Sequence, residues 1–174
     1  MGAAAALTFW RLAPAPVMDL DAALDRLKHL DRAGWVLAGH DAPESVAAHS
    51  WGMAVRCLQH CPDDLDLATV LSMALVHDLA EAVVGDITPH DGVDKAEKHA
   101  KERAAMASIA PQWLELWDAY EAGDSPEAVF VKRMDALDMA AQAIAYDGQE
   151  RLDGAPFVAS AERRLAGTQW STDS

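Results

Sequence analysis

The chain has 174 residues, which is the size of a single domain with its own hydrophobic core. Hydrophobic residues make up 51% of it and aromatic residues only 6%, and the many alanines favour helices over strands. The 14 basic and 28 acidic residues give a net charge of −14, and a field of that sign repels a nucleic-acid backbone. We therefore expect an all-α fold and no polymeric nucleic acid as a partner.

The first segment, residues 1–17, is rich in alanine and proline and is expected to form an N-terminal extension. Its apolar part has no preceding basic region, and the apolar run at 67–76 is only ten residues long, so we expect no membrane span. The two cysteines, Cys57 and Cys61, are expected to be reduced, which agrees with a cytoplasmic protein.

Capping and turn residues divide the rest of the chain into helices. Asp19 or Asp21 begins a helix that runs to about Arg32, and residues 35–43 are expected to form a loop. Further helices are predicted at about 44–60, 66–85, 94–109, 111–121, from 126 onwards, and 156–166. The predicted helix at 44–60 is expected to bury Val46, Trp51, Val55 and Leu58. The helix from 126 onwards carries an apolar stripe of Phe130, Met134, Leu137, Ala141 and Ile144. The pattern predicts one helical bundle of about six to seven helices at residues 18–166, with a polar tail at 167–174.

The segment 66–85 (DLATVLSMALVHDLAEAVVG) is apolar nearly all the way round, which is typical of a buried helix. It nevertheless contains His77, Asp78 and Glu81. Burying an ionised carboxylate without a partner costs several kcal/mol, so Asp78 must be paired, hydrogen-bonded or bound to a metal. In a continuous helix His77 and Glu81 share a face, which leaves open that Glu81 is a simple i, i+4 partner.

Two polar residues elsewhere are candidates to join His77 and Asp78. His49 lies on the preceding predicted helix and Asp135 lies beside the late apolar stripe, although Asp138, one turn further on, competes with it. Two imidazoles and two carboxylates suit Mn²⁺, Co²⁺, Fe²⁺ or Ni²⁺ better than Mg²⁺ or Ca²⁺. Taken alone, His49 could be an ordinary histidine that bonds between helices, and Asp135 could be a solvated helix residue. Together they predict a metal site with positions left for water and substrate.

The order His49, His77-Asp78, Asp135 resembles the H…HD…D signature of the HD-domain metal-dependent phosphohydrolases. The similarity extends over about residues 18–150 and is strongest to the HD-domain 5′-deoxynucleotidases. The segments that carry it are 32–35 (RAGW), 43–49 (PESVAAH), 75–81 (LVHDLAE), 85–89 (GDITP), 95–99 (KAEKH) and 130–135 (FVKRMD).

This resemblance implies an HD domain at residues 18–166 that hydrolyses deoxyribonucleoside 5′-monophosphates to deoxyribonucleosides and phosphate. It implies one divalent transition metal per site, Co²⁺ or Mn²⁺ first and Fe²⁺, Ni²⁺ or Zn²⁺ next, and a homodimer. Residue by residue, it implies metal ligands at His49, His77, Asp78 and Asp135, catalytic roles for Glu81 (acid/base) and Asp78, and substrate contacts from Arg32 (phosphate), Asp86 (3′-hydroxyl) and Trp35 (sugar).

Three other functions remain open at this point. Related HD enzymes remove triphosphate from deoxynucleoside triphosphates. A two-metal HD oxygenase needs extra histidines between the HD pair and the last aspartate, where His90 and His99 lie. A nucleotide-binding protein without turnover is the third.

Overall fold

A computed structural model describes residues 18–169, so the predicted extension at 1–17 and the last five residues of the predicted tail lie outside the described part. Within that part the regular elements are helical, apart from one isolated bridge between Asp31 and Ser45. The longer helices are α1 (Leu20–His29), α3 (Val46–His60), α4 (Leu67–Val76), α6 (Lys95–Ile109), α7 (Leu114–Ala122), α8 (Pro126–Gly148) and α9 (Ala155–Leu165). Two short helices, α2 (Ala33–Leu37) and α5 (Glu81–Val84), complete the bundle. The prediction of an all-α bundle is confirmed.

The predicted helix starts are held by side-chain caps. Asp19, Ser45, Asp66 and Ser125 each accept a hydrogen bond from a backbone N–H in the first turn of the helix that follows. Pro126 occupies the first position of α8, where its missing N–H costs nothing.

The sequence predicts one continuous helix over 66–85, and this prediction is wrong. Helix α4 ends at Val76, a turn covers 77–80, and α5 follows. The carbonyl of His77 would accept from the N–H of Glu81 in a continuous helix, but it accepts from the buried indole of Trp117 at 3.0 Å instead. The N–H of Glu81 donates instead to the Asp78 carbonyl oxygen at 3.0 Å, which closes a tighter turn than that of an α-helix.

By length and composition alone, Leu67–Val84 would be apolar enough to cross a membrane. Half of this window is buried inside the bundle and the turn at 77–80 interrupts it, as expected of a central core segment. Val70, Met73 and Ala74 pack with residues of α3 and α8 in one core cluster.

Four local predictions are wrong. The first helix ends at His29 and not near Arg32, and part of the predicted loop 35–43 is helical, because α2 begins at Ala33. On α3 only Val46 is buried as predicted, whereas Trp51 is 70% exposed and Val55 and Leu58 are exposed too. Both faces of this helix are apolar, and the inward face is the one that carries His49, with Met53 and Cys57. On α8 the stripe is buried at Phe130 and Met134 but reaches the surface at Ile144.

Helix α9 packs antiparallel on α8 through small residues. Ala161 and Leu165 pack with Ala136, and at the other end the N–H of Gly154 donates to Asp147 Oδ1 at 3.0 Å. A Cβ on Gly154 would lie 2.6 Å from the carbonyl oxygen of Ala143. The close approach of the two helices therefore requires glycine at this position.

Gly154→Ala should destabilise the fold by about 1–3 kcal/mol, because the atom in the way belongs to the backbone of α8 and cannot turn aside. Urea unfolding of the variant and of the parent measures the loss. Gly148→Ala is the matched control, since its Cβ would meet nothing within 4 Å and should leave stability unchanged or slightly higher. Equal stability of the two variants would contradict this account of the helix contact.

Candidate active site

One cavity of about 780 Å³ lies between α2, the turn after α4, α8 and α9. Its walls bring together residues that are far apart in the sequence. Seven of the eight residues to which the resemblance assigns a metal, catalytic or substrate role line it: Arg32, Trp35, His77, Asp78, Glu81, Asp86 and Asp135. The eighth, His49, is fully buried and reaches the same cluster of side chains through its Nε2 atom.

Both histidines use Nδ1 for an oxygen that holds the ring in place, and both turn Nε2 toward the carboxylates of the cluster. His77 Nδ1 lies 2.9 Å from the carbonyl oxygen of Ala74, and His49 Nδ1 lies 3.0 Å from Asp138 Oδ2. A carbonyl and a carboxylate oxygen only accept, so each Nδ1 carries the proton in these contacts. In the neutral ring the lone pair of each histidine is then on Nε2, which is the atom that can bind a metal.

The two Nε2 atoms meet two carboxylates. His77 Nε2 lies 2.9 Å from Asp78 Oδ2, and His49 Nε2 lies 3.2 Å from Asp135 Oδ1 and 4.0 Å from Asp78 Oδ2. Ligand atoms of His49, His77 and Asp78 all lie within 4.8 Å of one another. His49 Nε2 is buried and makes no hydrogen bond within the described part of the chain. This donor set fits a divalent transition metal, because two imidazole nitrogens and the Asp78 carboxylate lie together and Asp135 Oδ1 lies beside His49 Nε2.

The electrostatics of the cluster favour a cation. Burial raises the pKa of Asp78, but His77, Arg32 and His49 outweigh it and hold that pKa well below its usual range. Burial also opposes ionisation of Asp135, yet the contact with His49 at 3.2 Å and the charge of Arg164 lower its pKa. Both carboxyl groups are therefore ionised at neutral pH, as metal ligands must be.

Asp138, the competitor of Asp135, lies on the other side of His49. It accepts from His49 Nδ1 and, through Oδ1, from Arg56 Nε at 2.7 Å. A Cβ on Gly52 would come within 3.0 Å of Asp138 Oδ1, so the absence of a side chain at Gly52 makes room for this contact. The geometry supports Asp135 as the residue facing the cluster and Asp138 as the residue that orients His49.

Glu81 lies in the same cavity, at the start of α5, and is only 4% exposed. Its Oε2 atom is buried and has no hydrogen-bond partner among the described residues. Burial raises the pKa of Glu81 well above its usual range, and the charges of Asp78 and Asp86 act in the same direction. Glu81 is thus a carboxyl group that keeps its proton to a higher pH than an exposed glutamate does.

Arg32 and Asp86 lie beside the cluster and line the same cavity. Arg32 Nη1 donates to Asp78 Oδ2 at 3.2 Å, and Asp86 Oδ2 accepts from the N–H of Ala33 at 2.8 Å. Burial disfavours the charge on Arg32, but Asp78, Asp86 and other carboxylates more than offset it and raise its pKa. Asp86 therefore anchors the start of α2, the helix that presents Arg32.

Trp35 lines the cavity from helix α2, although the sequence predicts a loop at this position. Its Nε1 donates to Glu44 Oε1 at 3.1 Å, and its ring packs against Tyr146 and Phe157. It is 2% exposed.

The sequence analysis did not identify two basic residues that line the cavity, Lys98 on α6 and Arg164 on α9. Lys98 Nζ donates to the Ile87 carbonyl at 3.0 Å, and Arg164 Nη2 donates to Asp135 Oδ2 at 2.6 Å. The only signal in the sequence was their positive charge in an acidic chain. Of the two histidines of the oxygenase alternative, His90 lines the cavity, whereas His99 stacks on Trp117 at 5.3 Å and lies 3.5 Å from Glu121. Neither belongs to a candidate metal-binding group in the described part.

Comparisons with known proteins agree with this geometry. A family model of the HD domain matches residues 24–169. The chain is 42% identical over 137 residues to 5′-deoxynucleotidase HDDC2 of Mus musculus, which covers 74% of this chain and 69% of the relative. It is 40% identical over 136 residues to 5′-deoxynucleotidase hdd1 of Schizosaccharomyces pombe, covering 71% and 69%. A crystal structure of a Pyrococcus horikoshii protein is similar at 33% identity, with a TM-score of 0.74 over 84% of this chain and 87% of that one.

Proposed function

The chain belongs to the HD domain family, and from that membership we propose that it is a metal-dependent 5′-deoxynucleotidase, which hydrolyses deoxyribonucleoside 5′-monophosphates to deoxyribonucleosides and phosphate. The observation that carries the proposal is one cavity that combines the His49, His77, Asp78 and Asp135 cluster with Glu81 and Arg32. Metal-dependent hydrolysis of a phosphomonoester uses these three functions: a metal site, a proton donor and a cation for the phosphate.

The metal would be held by His49 Nε2, His77 Nε2 and the carboxylates of Asp78 and Asp135. A bound divalent ion lowers the pKa of water and neutralises charge on a phosphoryl oxygen. The mixed nitrogen and oxygen donor set suits a divalent transition metal, and the family resemblance puts Co²⁺ or Mn²⁺ first, followed by Fe²⁺, Ni²⁺ or Zn²⁺. One ion per site is proposed, because the candidate ligand groups of the described part include neither His90 nor His99.

The remaining cavity residues act on the phosphate and the proton. Arg32, charged and almost buried, offers several N–H donors to the phosphate oxygens in addition to its contact with Asp78. Glu81 holds a proton at Oε2 and delivers it to the leaving 5′-oxygen, which becomes the hydroxyl of the deoxyribonucleoside. Asp78 acts in catalysis through its contacts with both Arg32 and His77.

The sugar is proposed to lie between Asp86 and Trp35. Asp86 Oδ2 is occupied by the N–H of Ala33, which leaves Oδ1 to accept from the 3′-hydroxyl. Trp35 is held rigidly by Glu44, Tyr146 and Phe157, so its ring edge forms a fixed limit to the space beside the sugar.

Arg32→Ala and Asp86→Ala should have different signatures. Loss of Arg32 should lower kcat/KM for every nucleotide to a similar extent, because all of them carry a phosphate. Loss of Asp86 should selectively impair substrates with a 3′-hydroxyl, since a site built to bond that group discriminates through it. The measurement is kcat/KM for a deoxynucleotide and its 3′-deoxy analogue. If Asp86→Ala impairs both equally, Asp86 acts only by anchoring α2.

A screen for phosphate release tests the proposed reaction. Ribo- and deoxyribonucleoside mono- and triphosphates are incubated with the protein and Co²⁺, Mn²⁺ or Mg²⁺. Release of inorganic phosphate from deoxynucleoside monophosphates, with little turnover of ribonucleotides, is expected. Tripolyphosphate from deoxynucleoside triphosphates would indicate the triphosphohydrolase instead, and binding without any release would indicate a non-catalytic nucleotide-binding protein.

We also propose a cytoplasmic homodimer. The cysteines Cys57 and Cys61 are free, as expected in a reducing compartment. Trp51, Val55 and Leu58 form an exposed apolar stripe along α3 that a second copy of the chain would cover. Sedimentation equilibrium measures the mass: a monomer at micromolar concentration would contradict the dimer.

A further inference from the structure

Arg164 connects the last described helix to the candidate metal site. Its Nη2 donates to Asp135 Oδ2 at 2.6 Å and also to the carbonyl oxygen of Lys132 at 3.2 Å. Asp135 uses its other oxygen, Oδ1, toward His49 Nε2 at 3.2 Å. The two oxygens of this one carboxylate therefore have separate tasks, one toward α9 and one toward the cluster.

The position of Arg164 follows from the packing of α9. Ala161 and Leu165 pack on Ala136, and the close contact at Gly154 sets the register of the two antiparallel helices. Arg164 is then opposite Lys132 and Asp135, on the side of α9 that lines the cavity. Its side chain is 42% exposed, so the guanidinium is held by these two contacts and not by burial in the core.

We infer that Arg164 is a positioning residue for the metal site: it fixes Asp135 so that only Oδ1 is presented to the metal. A carboxylate with one oxygen committed to a charged donor cannot swing both oxygens toward an ion. Groups that hold a ligand in place in this way contribute to metal affinity almost as strongly as the ligands do. The C-terminal helix thereby becomes part of the catalytic centre although none of its residues binds the metal. This inference rests on the proposed metal site.

The test compares Arg164→Gln with Arg163→Gln. Arg163 is the preceding residue on α9 and is exposed, so the control removes the same charge from the same helix turn. The dissociation constant for Co²⁺ is measured by chelator competition on the metal-free protein. Arg164→Gln should raise it by about 10–100-fold, whereas Arg163→Gln should leave it within about twofold. Arg164→Lys should recover most of the loss, because one ammonium N–H suffices for Asp135 Oδ2.

Kinetics at saturating metal separate positioning from direct substrate contact. If Arg164 only positions Asp135, excess Co²⁺ should restore kcat of Arg164→Gln toward the parent value with KM unchanged. A raised KM at saturating metal, with metal affinity unchanged, would show a phosphate contact and overturn the inference. So would equal metal affinity of both glutamine variants, or no recovery by lysine.

Failure of the proposed function would look different. If the parent protein binds no Co²⁺, or if Asp135→Ala binds it normally, then the metal site itself is wrong. If the parent binds Co²⁺ and Asp135→Ala does not, while Arg164→Gln matches Arg163→Gln, then only the role of Arg164 is wrong. Melting of the metal-free proteins confirms that each variant is folded before either conclusion is drawn.

Discussion

Asp135→Ala should lose both the metal and hydrolysis, whereas Asp138→Ala should keep a weakened metal site. The two aspartates are one turn apart on α8, so the variants remove the same group from neighbouring positions of one helix. Asp135 faces the lone-pair nitrogen of His49 at 3.2 Å, and Asp138 holds the opposite ring nitrogen at 3.0 Å. Loss of an orienting residue costs about 10–100-fold in metal affinity, and loss of a ligand should cost more.

The same loss is expected for His77→Ala and Asp78→Ala, since each removes a ligand atom from the group that lies within 4.8 Å. Metal content after desalting and the rate of phosphate release are the two measurements. A full metal load with full activity in either variant would refute the assignment. If Asp138→Ala loses the metal and Asp135→Ala retains it, the fourth ligand moves by one helical turn.

Glu81→Gln should keep the metal and bind nucleotide but lose about 10²–10⁴-fold in kcat, the usual effect of removing a general acid or base. Glutamine has the same shape and cannot hold or release the proton. Because the buried carboxyl is crowded by the charges of Asp78 and Asp86, the amide should fold at least as stably. Reduced turnover together with an undiminished melting temperature would separate a catalytic role from a structural one.

The measurements are metal content, nucleotide binding by calorimetry, kcat and thermal unfolding. Glu102→Gln serves as a control, because it changes another buried glutamate, the partner of Lys98 at 3.5 Å. If kcat of Glu81→Gln barely changes, Glu81 is a structural carboxyl group. If metal is lost as well, Glu81 belongs to the ligand set.

The elements that the sequence predicts well are those set by local chemistry. Asp66 and Ser125 cap helices where the sequence predicts their starts, because a capping side chain acts on N–H groups only two or three residues away. The polar residues of the apolar segment, His77, Asp78 and Glu81, line one cavity. The sequence indicates such a site because burying polar groups costs free energy unless they are paired.

What the sequence could not predict depends on distant partners. The break after Val76 is stabilised by the indole of Trp117, which lies on α7 and takes the carbonyl of His77. The inward face of α3 is decided by the bond between His49 and Asp138, because the alternative face with Trp51 is equally apolar. Arg164 reaches Asp135 only through the register of α9 on α8. No local pattern encodes these three contacts.

The hydrogen bond from Ala33 to Asp86 limits how this cavity can change during evolution or redesign. One carboxylate fixes the start of the helix that presents Arg32, and the same side chain borders the space assigned to the sugar. A substitution that alters sugar preference at position 86 therefore also loosens the arginine unless the new side chain keeps an acceptor for that N–H. Small polar residues satisfy this condition and apolar ones do not. Tolerated exchanges at this site should accordingly be far fewer than the size of the cavity alone would allow.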